Sequence, residues 1–189
     1  PGEREELNDK EILARLANKK WMVCLGRLNR LKHAEDCYDV LRNIAQEEID
    51  IGLLLIGDGN LREVIEQRAA EDGLSDNVFF MGNVEQSLIS KILPKCTIAL
   101  SPLTGRALAE VAFAALPIVA YDLDWQSEIV ETNITGILVP ARDIASMSSA
   151  AKQLLSDPIL CRKLGAAVRA RTLNLLSPDE QTLIEAQAY

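Results

Sequence analysis

Histidine is nearly absent from this chain: His33 is the only one in 189 residues. That excludes multi-histidine metal centres and any serine–histidine nucleophile pair that does not use this residue. Aromatic residues make up only 4%, and 20 basic residues face 28 acidic ones, a net charge of −8. Nucleic-acid backbones are held by clustered Lys and Arg, so this balance argues against a nucleic-acid partner. No apolar run approaches the roughly 20 residues needed to cross a bilayer. The polar start, Pro1-Gly-Glu-Arg-Glu-Glu6, lacks the apolar stretch of a secretory signal. The expected compartment is the cytoplasm. The four cysteines, Cys24, Cys37, Cys96 and Cys161, have no CxxC spacing and read as buried free thiols. No Pro/Gly/Ser-rich linker and no internal repeat divides the chain.

What is present suits one α/β domain with a substantial core: 48% of residues are hydrophobic and 25% charged. Apolar runs at 21–25, 51–56, 78–81, 96–100, 117–121 and 136–139 lack polar alternation. Stretches of helical period separate them, at 34–44, 61–71, 86–93 and about 105–115, with a short one at 128–131. Further helices are expected at 3–18, 145–155, 158–175 and 179–188. Strands of this kind alternating with helices indicate a doubly wound parallel sheet of about six strands, covered on both faces and followed by C-terminal helices. Ligands of such sheets bind beyond the carboxyl ends of the strands. The segments expected there are Gly26-Arg27, Gly57-Asp58-Gly59, Gly82-Asn83-Val84, 101–106 and 122–126.

The run from Ser101 to Pro117 is the centre of interest. Thr104-Gly105-Arg106 would open a helix just past a buried strand, leaving several backbone N–H groups unpaired and available to an anion. Glu110 follows one and a half turns later and can face the same crevice. Arg27 and Lys32, five residues apart across a strand-to-helix turn, could clamp a diphosphate, the first through paired donors and the second as a point charge. By themselves these residues are equally an ordinary helix start and solvated surface charges. Gly57-Asp58-Gly59 lacks the GxGxxG spacing of a dinucleotide fingerprint and reads as a tight turn that lets backbones approach closely. Gly82-Asn83-Val84 is a strand terminator that could present backbone groups to a flat base. Asp122, Asp124 and Glu128 cluster beside Trp125, but no further ligand is identifiable and no protein-bound metal is expected.

Together the segments resemble the nucleotide-sugar-binding C-terminal half of retaining GT-B glycosyltransferases of the group 1 family, over about residues 20–175. Val23-Cys-Leu-Gly-Arg-Leu-Asn-Arg-Leu-Lys32 looks like that family's strand, Gly-Arg-Leu and downstream Lys. Leu54-Leu-Ile-Gly-Asp-Gly-Asn-Leu-Arg62 and Val78-Phe-Phe-Met-Gly-Asn-Val84 look like its next two strand-and-turn segments. Glu110-Val-Ala-Phe-Ala-Ala-Leu-Pro-Ile-Val-Ala120 and Gly136-Ile-Leu-Val-Pro140 match two later signatures. The resemblance implies a Rossmann-like domain, one half of a GT-B fold, with 1–19 as linker or N-terminal helix and 176–189 as a C-terminal helix. It implies Arg27, Lys32 and Glu110 as catalytic residues. Donor contacts would come from Gly26, Gly57, Gly82, Asn83, Val84, Thr104, Gly105, Arg106, Ala107 and Glu110. The donor would be a UDP-, GDP- or ADP-sugar, with no tightly bound cofactor and no metal. The whole enzyme would transfer the sugar with retention to a glycan or lipid-linked acceptor, in association with the inner face of the membrane.

Two departures stand out. The family's first glutamate, eight residues before the second, falls here on Pro102, and Leu103-Thr104-Gly105 replaces Gly-Phe-Gly. Asp124-Trp125 stands where the family often has Gly-Gly, and Ala115 where it has Gly. A GT-B enzyme also needs a second, acceptor-binding domain that this chain does not supply, so the isolated domain is expected to be inactive. Two alternatives remain open at this point: half of a GT-B-fold nucleotide-sugar 2-epimerase, and a noncatalytic nucleotide-binding module.

Overall fold

The computed structural model describes residues 8–47, 50–103 and 105–176. The expected helix at 179–188 and the Thr104 contact lie outside the described residues. Six strands form a single sheet: β1 (Lys20–Leu25), β2 (Ile51–Ile56), β3 (Val78–Gly82), β4 (Ile98–Ser101), β5 (Ile118–Tyr121) and β6 (Gly136–Val139). Every pairing is parallel and the order is β3-β2-β1-β4-β5-β6. That is the doubly wound order in which the connections leave β1 and β4 in opposite directions, opening a crevice between those two strands.

The helices are α1 (Asp9–Leu16), α2 (Ala34–Ala45), α3 (Arg62–Glu71), α4 (Gln86–Ile92), α5 (Arg106–Phe113), α6 (Gln126–Ile129), α7 (Ile144–Ser156) and α8 (Pro158–Leu175). Strand residues alternate between two apolar layers, as pleating requires. Met22, Cys24, Leu53, Leu55, Val119 and Tyr121 pack with α2, α3 and α7. Trp21, Val23, Leu54, Ile56, Ala99 and Ala120 pack on the other face with α1, α4 and α5. Each fully buried Leu or Ile contributes about 1.5–3 kcal/mol. With both faces covered, no strand needs polar alternation, which explains the uninterrupted apolar runs.

Several element boundaries differ from the sequence expectation by one or two residues, and hydrogen bonds account for two of them. The fourth strand begins at Ile98, because Cys96 N–H donates to Leu93 O at 3.0 Å and extends a 3-10 turn through Pro94. The sixth helix is drawn back to Gln126, where Gln126 N–H donates to Leu123 O. Helix α1 docks on the domain through buried Ile12 and Leu16, with Arg15 stacked 4.3 Å over the Phe79 ring. All four cysteines are free and buried. Burial pushes the Cys96 thiol up to about 12.

Ala115 has φ 57, a left-handed conformation that costs a residue with a β-carbon about 1–2 kcal/mol. Its carbonyl lies against Gly165 of α8, which pins the turn in place. Ala115→Gly is therefore expected to stabilise the fold by about 1 kcal/mol, partly offset by greater freedom in the unfolded chain. Thermal denaturation would read this as a Tm rise of roughly 2–4 °C. A fall in Tm would contradict it.

Candidate functional site

The crevice at the switch point consists of two adjoining hollows that share Leu25, Gly26, Arg27, Arg106 and Ala107. The first holds about 170 Å³ and is completed by Lys32, the Leu100–Leu103 turn, Cys24 and Gly105. The second holds about 520 Å³, within the usual range for small-molecule sites, and is open to solvent. Its walls include Gly57, Gly82, Asn83, Val84 and Glu110.

The turns that build this crevice are tied together by backbone. Gly26 N–H donates to Ile56 O at 2.9 Å, Leu28 N–H to Asp58 O at 3.0 Å, and Gly57 N–H to Gly82 O at 2.8 Å. Gly57 has φ +129, and a β-carbon there would overlap the carbonyl oxygen of Gly26. The close backbone approach expected of the Gly57–Gly59 turn is thus an approach to the turn after β1. After Arg27 the chain makes a 3-10 turn whose end is fixed by Asn29, its Oδ1 accepting from Lys32 N–H at 2.9 Å. This sets Lys32 over the crevice: a β-carbon on Gly105 would stand 3.6 Å from Lys32 Nζ.

Helix α5 starts at Arg106, with Gly105 as its N-cap in extended conformation and without a side-chain cap. The first turn closes when Leu108 N–H donates to Gly105 O at 3.0 Å. The N–H groups of Arg106 and Ala107 precede that bond, and both residues line both hollows. Arg27, Lys32 and this helix end converge on the first hollow, a favourable setting for an anion. Glu110 belongs to the second hollow. Its side chain is only 17% exposed, and its carboxylate pairs with Arg106, Nε to Oε1 at 3.2 Å.

Every described residue expected at the site therefore lines one hollow or the other. His33 lines neither, and neither does the acidic group around Trp125. Among the described residues no group of three or more His, Cys, Asp or Glu side chains could hold a metal. Sequence patterning placed Ser101 in a crevice segment without giving it a role, and it missed Gln86 and Ile89. The last two were within reach, since they follow Gly82–Val84 on the helix after the same strand. The partner of Ser101 was not, because its Oγ donates at 2.8 Å to Gln126, a fully buried side chain from the next crossover. Behind Cys24, the Cys37 thiol is raised well above its ordinary value by its hydrogen bond with Cys24 and by burial, and stays protonated.

The fold and crevice define a doubly wound α/β domain with an anion-favouring site beside a partly buried carboxylate. The chain belongs to the glycosyl transferases group 1 family, whose profile matches residues 5–171. It is 26% identical over 180 residues to a GDP-mannose-dependent alpha-(1-6)-phosphatidylinositol monomannoside mannosyltransferase of Mycobacterium tuberculosis, covering 89% of this chain and 46% of that protein. The chain thus spans about half the length of the curated relatives it matches. Among solved structures it resembles S. aureus TarM in complex with UDP and other ligands, at TM-score 0.80 and 18% identity, over 95% of this chain and 35% of that one. It also resembles the C-terminal domain of a glycosyl transferase group 1 family protein from Francisella tularensis, at TM-score 0.77 and 16% identity, over 93% and 94% of the two chains. These likenesses establish the fold as the Rossmann-like half of a GT-B fold. No helix among the described residues is long and apolar enough to cross a membrane.

Proposed function

We propose that this domain binds the nucleotide-diphosphate sugar donor of a retaining glycosyltransferase and is inactive without a second, acceptor-binding domain. The observation that carries this is the split crevice: three cationic residues, Arg27, Lys32 and Arg106, and a helix N-terminus at a small hollow, and the carboxylate of a largely buried glutamate at a nucleoside-sized one. The diphosphate would lie in the first hollow against Arg27, Lys32 and the N–H groups of Arg106 and Ala107. The nucleoside would lie in the second, with Glu110 accepting from the ribose hydroxyls and the Gly82–Val84 turn meeting the base. Vicinal hydroxyls suit a carboxylate, which can accept with both oxygens.

In the transfer step the bond between the sugar's anomeric carbon and the phosphate oxygen breaks and its electron pair remains on the diphosphate, while the acceptor's hydroxyl oxygen forms the new bond to that carbon and its proton passes to the departing diphosphate. Arg27, Lys32 and the helix end stabilise that developing charge, supplying what a divalent cation supplies elsewhere. Retention of configuration rests on the family resemblance. Leu31, 79% exposed, and Trp125, 40% exposed, stand on the turns after β1 and β5 at the carboxyl edge of the sheet and would offer apolar surface to the second domain. UDP in the TarM complex and GDP-mannose in the mycobacterial relative's name support a nucleotide-sugar donor without selecting the base.

Calorimetric titration of UDP, GDP and ADP into the full-length protein tests the proposal. One diphosphate is expected to bind at least tenfold more tightly than its parent nucleoside, a difference of about 1.4 kcal/mol. Absence of binding by all three at millimolar concentration would reject it.

A further inference from the structure

Arg106 occupies the first helical position of α5, where a cation opposes the positive end of the helix dipole. Glu110 follows it by four residues, the reverse of the carboxylate-before-cation order that best supports a helix. Helix stability therefore gives little reason for an arginine here. Its setting adds a second cost, because Lys32 already directs its ammonium toward Gly105, one residue away, and Arg27 lines the same hollow. Like charges brought together at one helix N-terminus repel one another.

The two ends of the Arg106–Glu110 pair differ sharply in environment. The Glu110 side chain is 17% exposed and that of Arg106 is 86% exposed. A largely desolvated carboxylate needs a counter-charge when the crevice is empty. A solvated guanidinium on a flexible stem can leave at little cost, since exposed ion pairs are worth only about 0–1 kcal/mol. Arg106 is also the one residue of the pair that lines both hollows. It can reach the carboxylate in one and an anion in the other without backbone movement.

We infer that Arg106 is a partner-exchanging residue that covers Glu110 in the empty crevice and transfers to the diphosphate when the donor binds. The inference rests on the proposed placement of ribose and diphosphate. Its consequence is a discrimination built into the site. A nucleoside alone must displace Arg106 from Glu110 and offers the guanidinium nothing in return. A nucleoside diphosphate displaces it and at once gives it a charged acceptor, so ribose and diphosphate binding reinforce each other. Donor sugars and their diphosphate products are retained, whereas free nucleosides of the same base are turned away.

The test compares uridine, guanosine and adenosine with UDP, GDP and ADP on the full-length wild-type, Arg106→Ala and Arg106→Lys proteins. NMR titration serves for the weak nucleosides and calorimetry for the diphosphates. In Arg106→Ala the nucleoside is expected to bind about two- to fivefold more tightly, while its diphosphate binds roughly tenfold or more weakly. Opposite signs are the signature, since a merely structural role would move both constants in the same direction. Arg106→Lys should recover most of the lost diphosphate affinity. Nucleoside affinity that is unchanged or weaker in Arg106→Ala overturns the inference, and so does unchanged diphosphate affinity. If the wild-type protein binds no diphosphate, the functional proposal itself fails; that outcome is read from the wild-type titrations alone.

Discussion

Replacing Arg27 and Lys32 together by alanine is expected to weaken binding of the cognate nucleoside diphosphate by about a hundredfold or more, while the parent nucleoside keeps its affinity within about a factor of two. Hydrogen bonds to charged groups contribute about 1.5–3 kcal/mol each, so losing two gives at least about 3 kcal/mol. The two side chains belong to one turn and line the same 170 Å³ hollow; Lys32 is absent from the walls of the larger one, and Arg27 touches it only as one of the residues shared between the two. Since the diphosphate gains charge as the sugar departs, the loss of transfer rate in the full-length enzyme should exceed the loss in ground-state diphosphate binding. The single variants should not add to the double, because both act on one ligand group. Equal weakening of nucleoside and diphosphate would show that the cations do not meet the phosphates. The backbone of the turn is held by Asn29 and by the bonds of Gly26 and Leu28, so the variants are expected to fold normally.

The second large effect is on folding. Gly57→Ala is expected to destabilise the domain by about 3 kcal/mol or more, combining strain at a positive φ with overlap against neighbouring backbone. The overlap is with the carbonyl of Gly26, a backbone atom that cannot swing aside as a side-chain end could. Gly26→Ala is the matched control. Gly26 also has positive φ, +144, but no atom stands within 4 Å of its would-be β-carbon, so strain alone applies, about 1–3 kcal/mol. For a domain of this size Gly57→Ala should lower Tm by roughly 6–12 °C, with a smaller drop for Gly26→Ala. Equal shifts would mean that the turns after β1 and β2 part easily. Because Gly57 also donates to Gly82 O, the same substitution should loosen the floor of the larger hollow and weaken nucleoside binding.

Much of this architecture is written locally in the chain. Apolar runs without alternation, such as Ile51–Ile56, report burial on both faces, and glycines after strands mark where the chain turns at the sheet's carboxyl edge. Helix starts and the glutamate five residues past Gly105 follow from 3.6-residue periodicity. From these signals alone the sequence determined a parallel α/β domain and five segments at one edge of it. The ordered motifs then identified the family.

Tertiary structure decided which of those segments meet. Strand adjacency depends on pairing between residues far apart in the chain, as with Met22 beside Ile98, and no local pattern encodes it. The order β3-β2-β1-β4-β5-β6 puts the turns after β1 and β4 side by side and sends the turn after β5 outward, so Arg27 and Lys32 join Gly105–Ala107 while Trp125 does not. The division of the crevice also lay beyond the sequence. Side-chain direction on α5 sends Glu110 to one hollow and lets Arg106 span both, which turned two residues read as parts of one anion site into an ion pair. Periodicity records that a residue is buried or exposed; only the assembled sheet sets what it faces.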